Sequence, residues 1–259
     1  MQRGNIVISF YKRDRTATFA TQMFGDSGAA VLWSRILQAD IRDDSRALVR
    51  DTRPHVGVQI RIDRCTPPPG ALHDAHGWIM DYPCTTTSNQ AERIVRQKLY
   101  TIKNGTGTPT RENTVRYRGL PAPFFFLRED VRGWNDWSVG VSLEEVHEDK
   151  AVTVLANHKH PYMQGMTEGG DTCSMWVIFP WKDEWHEYRI QPKARRLTNA
   201  DFVRKVAGAI ENIWNMLGIP VSSARASVKL IGVIYGSQSR LQVILEAPLT
   251  ERLHEHSSW

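Results

Sequence analysis

His158 and His160, one residue apart, have the clearest chemical spacing in the chain. Residues two apart on a strand point to the same side, so the two imidazoles would share a face and could meet one metal ion. Glu168 follows nearby. A cupin-type centre uses two histidines, an acid and a later histidine. Here the acid comes late and the expected preceding glycine is missing, so a polar loop after a strand ending at Ala156 is the plainer reading. His73-Asp74-Ala75-His76 is a second cluster, set between a proline run and a strand. It reads as a turn carrying surface histidines. A metal centre needs three or four convergent ligands and partners that orient them, and neither cluster supplies these by itself.

Nucleophilic chemistry has less to stand on. The sequence has no Gly-x-Ser-x-Gly elbow. Cys65, Cys84 and Cys173 form no Cys-x-x-Cys pair. An odd number of widely spaced thiols argues against a disulfide framework and suits a reducing compartment, with each thiol buried as a small apolar group. Gly105-Thr106-Gly107 is neither a phosphate loop nor a dinucleotide fingerprint. Glu144 and Glu145 are adjacent, and on a strand they would face opposite sides, which is poor geometry for a paired acid and base. The expectation is a protein that binds or assembles, without a catalytic constellation and without a cofactor.

Charge and aromatic content point to surfaces. A formal charge of +5 and a pI near 9.2 favour an acidic partner, single-stranded nucleic acid among them. Lys12, Arg13 and Arg15, with Lys193, Arg195 and Arg196, are the candidate nucleic-acid contacts. Elsewhere acids interleave with bases, as in Asp40-Ile41-Arg42-Asp43-Asp44, the pattern of a solvated face. Five of the nine tryptophans, Trp134, Trp137, Trp176, Trp181 and Trp185, fall in one region. Trp176 lies in the apolar run Met175–Phe179 and reads as core. The other four are candidate interface anchors, with inter-sheet core and base stacking as alternatives.

The elements that must position these groups are mostly short strands. Ile6, Ile8 and Phe10 alternate, as do Val56, Val58, Ile60 and Ile62. Further strands are expected over Thr16–Phe24, Gly77–Tyr82, Thr114–Arg118, Phe124–Leu127, Trp137–Leu143, Ala151–Ala156, Met175–Phe179, Glu187–Ile190, Ser227–Tyr235 and Leu241–Leu245. One helix is expected over about 199–217, where Phe202, Val206, Ala209, Ile213 and Leu217 recur at helical spacing. Thr198 or Asn199 would cap it, and Gly218 with Pro220 would stop it. A shorter helix is expected over Gln90–Tyr100. Ala29–Leu37 fits helix or strand.

Many short strands with turn signals between them give a mainly β fold, a jelly-roll-like sandwich with one long amphipathic helix near the C-terminus. Residues 1–250 read as a single domain with long loops, and 251–259 as a polar tail. The start of the chain does not have the pattern of a signal peptide, and no apolar run is long enough for a membrane span. The chain therefore reads as an intracellular protein.

Val56-Gly57-Val58-Gln59-Ile60-Arg61-Ile62-Asp63-Arg64 resembles the signature strand of the thirty-kilodalton superfamily of plant-virus movement proteins, an alternating strand ending in Asp and a basic residue. Asp201–Leu249 is similar to the C-terminal end of that family's core. With Glu187-Tyr188-Arg189-Ile190, it also resembles the C-terminal region of insect-virus occlusion-body matrix proteins. The resemblance implies a virus-encoded jelly-roll protein that self-assembles, in the host cell or the virion. It makes Asp63 structural and carries over no catalytic residue. The alternatives are a movement-type nucleic-acid binder and a cupin-like metalloenzyme using His158 and His160.

Overall fold

The computed structural model describes residues 18–37, 48–51, 59–62, 72–74, 77–81, 93–100, 123–128, 139–156, 158–159, 175–190, 197–220, 225–237, 240–249 and 253. These form a mainly β protein with two sheets and four helices. The smaller sheet holds β1 (Leu48–Asp51), β2 (Gln59–Ile62), β3 (Leu72–Asp74) and β4 (Gly77–Asp81), in the order β1-β2-β4-β3. All its pairs are antiparallel. Of the strand expected from Val56 to Ile62, Gln59–Ile62 forms β2 and the rest lies outside the described residues. The strands expected at Ile6–Phe10 and Thr114–Arg118 lie outside the described residues, as do Asp63 and the 251–252 and 254–259 parts of the tail.

The larger sheet is mixed. It holds β5 (Phe124–Phe125), β6 (Val141–Ser142), β7 (Met175–Trp181), β8 (Glu184–Ile190), β9 (Lys229–Ser237) and β10 (Arg240–Glu246). The order is β5-β9-β10-β7-β8, and β6 also pairs with β9. β7–β8 and β9–β10 are antiparallel, whereas β10 runs parallel to β7. A parallel neighbour requires a crossover rather than a tight turn. Part of that crossover is the helix α4 (Asn199–Met216), which stands where helical spacing places one. Thr198 caps it reciprocally with Asp201: Asp201 N–H donates to Thr198 Oγ1 at 3.1 Å, and Thr198 Oγ1 donates to the Asp201 carboxylate at 2.7 Å.

Alternation along the strands shows which face each layer covers. Phe124 is opposite Val233 in register, and its ring meets Phe202 of α4 at 6.1 Å. Phe179 of β7 meets Trp214 of α4 at the same distance. α4 therefore covers this face. Phe125 points the other way and packs on Phe19 at 5.7 Å, so the helix α1 (Phe19–Leu37) begins on the opposite face. With both faces covered, every described side chain of β10 after Arg240 is buried, including Gln242 and Glu246. Gly232 is required where β5 crosses β9. A Cβ there would run into the Phe124 carbonyl and lie 3.1 Å from Phe125 Cα.

Four expected elements take another form. Thr16–Phe24 reads as a strand, but Thr18 caps a helix instead. Thr21 N–H donates to Thr18 Oγ1 at 3.2 Å, and Thr18 N–H donates back to Thr21 Oγ1 at 2.8 Å. The threonines that suggested a strand are a capping pair. Ala29–Leu37 is helical as well, beyond a break at Gly25, whose φ of 69° and ψ of 170° interrupt α1. The described part of Gln90–Tyr100 runs without helix beyond Arg93, because Ile94 pairs with Glu246 at the end of β10. Ala151–Ala156 begins as a helical turn, α3 (Ala151–Val154), in which Val154 N–H returns to the Lys150 carbonyl. The described part of Trp137–Leu143 holds a strand only at β6, for Leu143 opens α2 (Leu143–His147) behind the Ser142 cap. No helix of the described residues is long and apolar enough to cross a membrane.

A polar pair joins residues 93–100 to β10. Gln97 and Gln242 are 4% and 0% exposed. Gln242 Nε2 donates to Gln97 Oε1 and to the Lys98 carbonyl, both at 2.9 Å. Gln97 Nε2 donates to the Val243 carbonyl at 2.9 Å, and Tyr100 N–H donates to Gln242 Oε1 at 3.0 Å. Each amide is thus satisfied by the other and by backbone. Gln242→Leu should lower stability by roughly 2–4 kcal/mol in a denaturant melt, because buried partners lose their hydrogen bonds. A loss under roughly 0.5 kcal/mol would mean the pair is not holding this segment.

Candidate association surface

The hairpin of β7 and β8 presents the outer strand of the larger sheet. Its two turn residues, Lys182 and Asp183, have φ of 47° and 68°. Positive φ at both positions is the hairpin geometry whose twist matches antiparallel strands. Trp181 and Glu184 close the pair, and the register continues to Met175 opposite Ile190. Beyond β8 the sheet has no further strand among the described residues. The edge carries Glu184, Trp185, His186, Glu187, Tyr188 and Arg189. Trp185, His186 and Glu187 are half-buried, while Glu184 and Arg189 are exposed and Tyr188 is 36% exposed. Charges on an outer strand limit indiscriminate pairing and leave room only for a partner whose charges fit.

On the face away from α4, the edge is tied to the rest of the sheet. Arg240 Nε donates to Glu187 Oε1 at 2.8 Å, reaching across β7. Its guanidinium lies 5.8 Å from the Tyr100 ring centroid, and Tyr100 meets Trp185 edge-to-face at 5.0 Å. The hydrogen bond to Glu187, with Tyr100 adding to it, raises the Arg240 pKa further above its ordinary value. Segment 93–100 thus braces β8 through Tyr100 while the glutamine pair anchors it on β10.

A second ion pair locks β6 and α2. Arg128 grips Glu145 with both terminal nitrogens, at 2.9 and 2.8 Å, and reaches the Gly140 carbonyl at 3.3 Å. Ser142 N–H donates to Glu145 Oε2 at 2.8 Å. Burial pushes the Glu145 carboxyl upward. The Arg128 hydrogen bonds, the Ser142 N–H and the Arg128 charge together outweigh that and hold it below its ordinary 4.5.

The sequence candidates are distributed unevenly. Trp181 is 7% exposed and belongs to the core, so of the four tryptophans read as interface anchors it is not available on the surface. Trp185 lies on the edge strand. Trp176, expected in the core, is half-buried. Trp134 and Trp137 lie outside the described residues. So do Lys12, Arg13, Arg15, Lys193, Arg195, Arg196, His160, Glu168, His76 and the three cysteines. His158 lies beside the start of α4: its carbonyl accepts the Ala200 N–H at 3.3 Å, and Nδ1 is 3.3 Å from the Leu155 carbonyl. His73 sits on β3 opposite Trp78. Among the described residues no three of His, Cys, Asp and Glu converge as a metal site would require.

Sequence reading missed that Tyr100, Glu187 and Arg240 are linked at this edge. Their link depends on which strand ends the sheet, and alternation within one strand carries no such signal. It also missed the exposed side of 93–98, where Arg93, Arg96 and Lys98 alternate with buried Ile94, Val95 and Gln97. Arg96 also borders a cleft of about 260 Å³ beside Met23, Phe24 and Gly25. Comparison with protein-family models, curated proteins and solved structures finds no match to this chain.

Glu145 makes the fold acid-sensitive in a stated direction. A carboxylate with a depressed folded pKa contributes stability above its unfolded pKa and loses it as pH falls through the folded one. The melting temperature should therefore drop as pH falls below 4.5. Asp201, lowered from 3.8 chiefly by its Thr198 hydrogen bond, adds the same sign lower down. Glu145→Gln should melt lower than the parent at neutral pH and fall less steeply below 4.5. Parallel slopes for the two proteins would contradict this role.

Proposed function

We propose that the protein is non-enzymatic and works by self-association through the open β8 edge, as a viral structural component of capsid or occlusion-body type would. Such a protein would act in the host cell or in the virion. The supporting observation is the edge itself: among the described residues β8 is the outermost strand of the larger sheet, exposes Tyr188 and half-exposes Trp185. An outermost strand can serve as a template for another strand. The parallel β7–β10 pair departs from the antiparallel pairing of a jelly roll. Self-association is therefore inferred from the edge and not from that architecture.

Sedimentation should give a mass that rises with protein concentration and is unchanged by nuclease. Tyr188→Lys should move the transition to about tenfold higher concentration, by placing a lysine on the edge, while leaving the melting temperature within a few degrees. A parent protein that stays monomeric across the accessible range would overturn the proposal.

One observation favours a second reading, binding of single-stranded nucleic acid. Arg93, Arg96 and Lys98 are exposed along one segment of a chain carrying net charge +5. Anisotropy of a labelled oligonucleotide should then show affinity falling steeply with salt. Arg96→Ala should weaken binding for all sequences and reduce the salt slope by about 1. Binding that ignores salt would exclude this reading.

A further inference from the structure

We infer that the cleft between α1 and segment 93–100 is a pocket for one unpaired base of a single-stranded nucleic acid, with Arg96 on the adjoining phosphate. The inference rests on the nucleic-acid reading above and assigns it a site. The cleft holds about 260 Å³, and Gln22, Met23, Phe24, Gly25 and Arg96 line it. Its two walls are joined where the Gln97 N–H donates to the Met23 carbonyl at 2.8 Å. That bond sets Arg96 and Phe24 on one opening. The volume falls below the range of about 300–1,000 Å³ that takes drug-sized ligands, which suits one planar base and leaves its sugar and phosphate outside.

Two glycines shape the opening. Gly25 breaks α1 with a φ of 69°, and a Cβ placed there would meet nothing within 4 Å, so a ligand can approach the backbone closely. A Cβ on Gly28 would lie 2.6 Å from Phe24 Cβ, so the bare glycine is what lets Phe24 lie where it does. Phe24 packs against the core yet is only half-buried. Aromatic side chains of this kind are stacking platforms for bases. Gln22, also half-buried, carries a carboxamide that both donates and accepts, as the edge of a base does. Arg96 is exposed at the rim, and Arg93 and Lys98 are exposed along the same segment. Arginine is suited to holding a phosphate. The exposed Asp26 follows Gly25 on α1 and would repel one, so the backbone of the strand belongs along 93–98 with its base turned toward Phe24. An acidic peptide would use the arginines but gain little from Phe24.

The test separates bases from phosphates. On the full chain, anisotropy compares a labelled oligothymidylate with a fully abasic strand of the same length and charge. The strand with bases should bind about tenfold more tightly. Phe24→Leu should remove most of that preference and leave the salt slope unchanged. Arg96→Ala should keep the preference and lower the slope by about 1 for both strands. Because Phe24 packs on the core, a second measurement uses the parent protein alone. A strand carrying iodouracil, irradiated in the complex, should cross-link to Phe24, as mapped by mass spectrometry. Salt-dependent binding that is equal for the two strands, or a cross-link confined to other residues, would overturn the pocket and leave the nucleic-acid reading standing. Binding of neither strand would overturn both, as would polyglutamate binding as tightly as the strand with bases.

Discussion

Two buried amides hold the larger sheet to the segment that braces it. β10 follows β7 in parallel only from Arg240 to Gln242, and residues 93–95 then pair with the end of β10. Two neighbours thus share one side of a strand. Where they meet, backbone groups of Lys98, Tyr100 and Val243 would be left without ladder partners. Gln97 and Gln242 supply those partners and bond to each other. Buried polar groups are costly when unpaired and specific when fully paired. This pair therefore fixes the position of Tyr100. Tyr100 in turn meets Trp185 edge-to-face, and Arg240 lies over its ring while gripping Glu187. The geometry of the outer strand thus traces back to two glutamines in the core.

The layers around that sheet explain its strength and its asymmetry. α4 covers one face through Phe202 and Trp214, and α1 begins on the other through Phe19. Inner residues of β9 and β10 are buried in consequence, with Leu230, Val233, Leu241 and Val243 each fully enclosed. On the far side of β9, the short strands β5 and β6 pair end to end with it. On the near side, β8 has no such cover among the described residues. Its polar, aromatic composition suits a strand that meets both solvent and a partner.

How far the sequence reached depended on where the deciding force lay. The apolar period of Phe202, Val206, Ala209 and Ile213 is local, and α4 stands where it points. The strands β7, β9 and β10 are likewise written in runs of apolar residues. Thr18-Phe19-Ala20-Thr21 misled, because threonine serves a strand and a helix cap equally well, and only the reciprocal hydrogen bonds distinguish them. Ile94-Val95 misled for a different reason: β10, about 150 residues away, claims their backbone and overrides local preference. Trp181 and Trp185 flank one hairpin, yet one is core and the other edge. That difference is set by sheet order, which no short window of sequence contains. Glu144 and Glu145 are adjacent in sequence and make a poor catalytic pair. Glu145 is instead a structural anion, capping α2 and gripping Arg128.

The most direct measurement is amide hydrogen exchange across β8, followed as protein concentration is raised. If β8 is an open edge that another copy occupies, its amides should exchange quickly in dilute solution and gain protection as the mass increases. The amides of β10 should be protected throughout, held by their neighbours and the glutamine pair. Protection of β8 in dilute monomer, or exchange that ignores assembly, would contradict the assignment of this edge as the association surface.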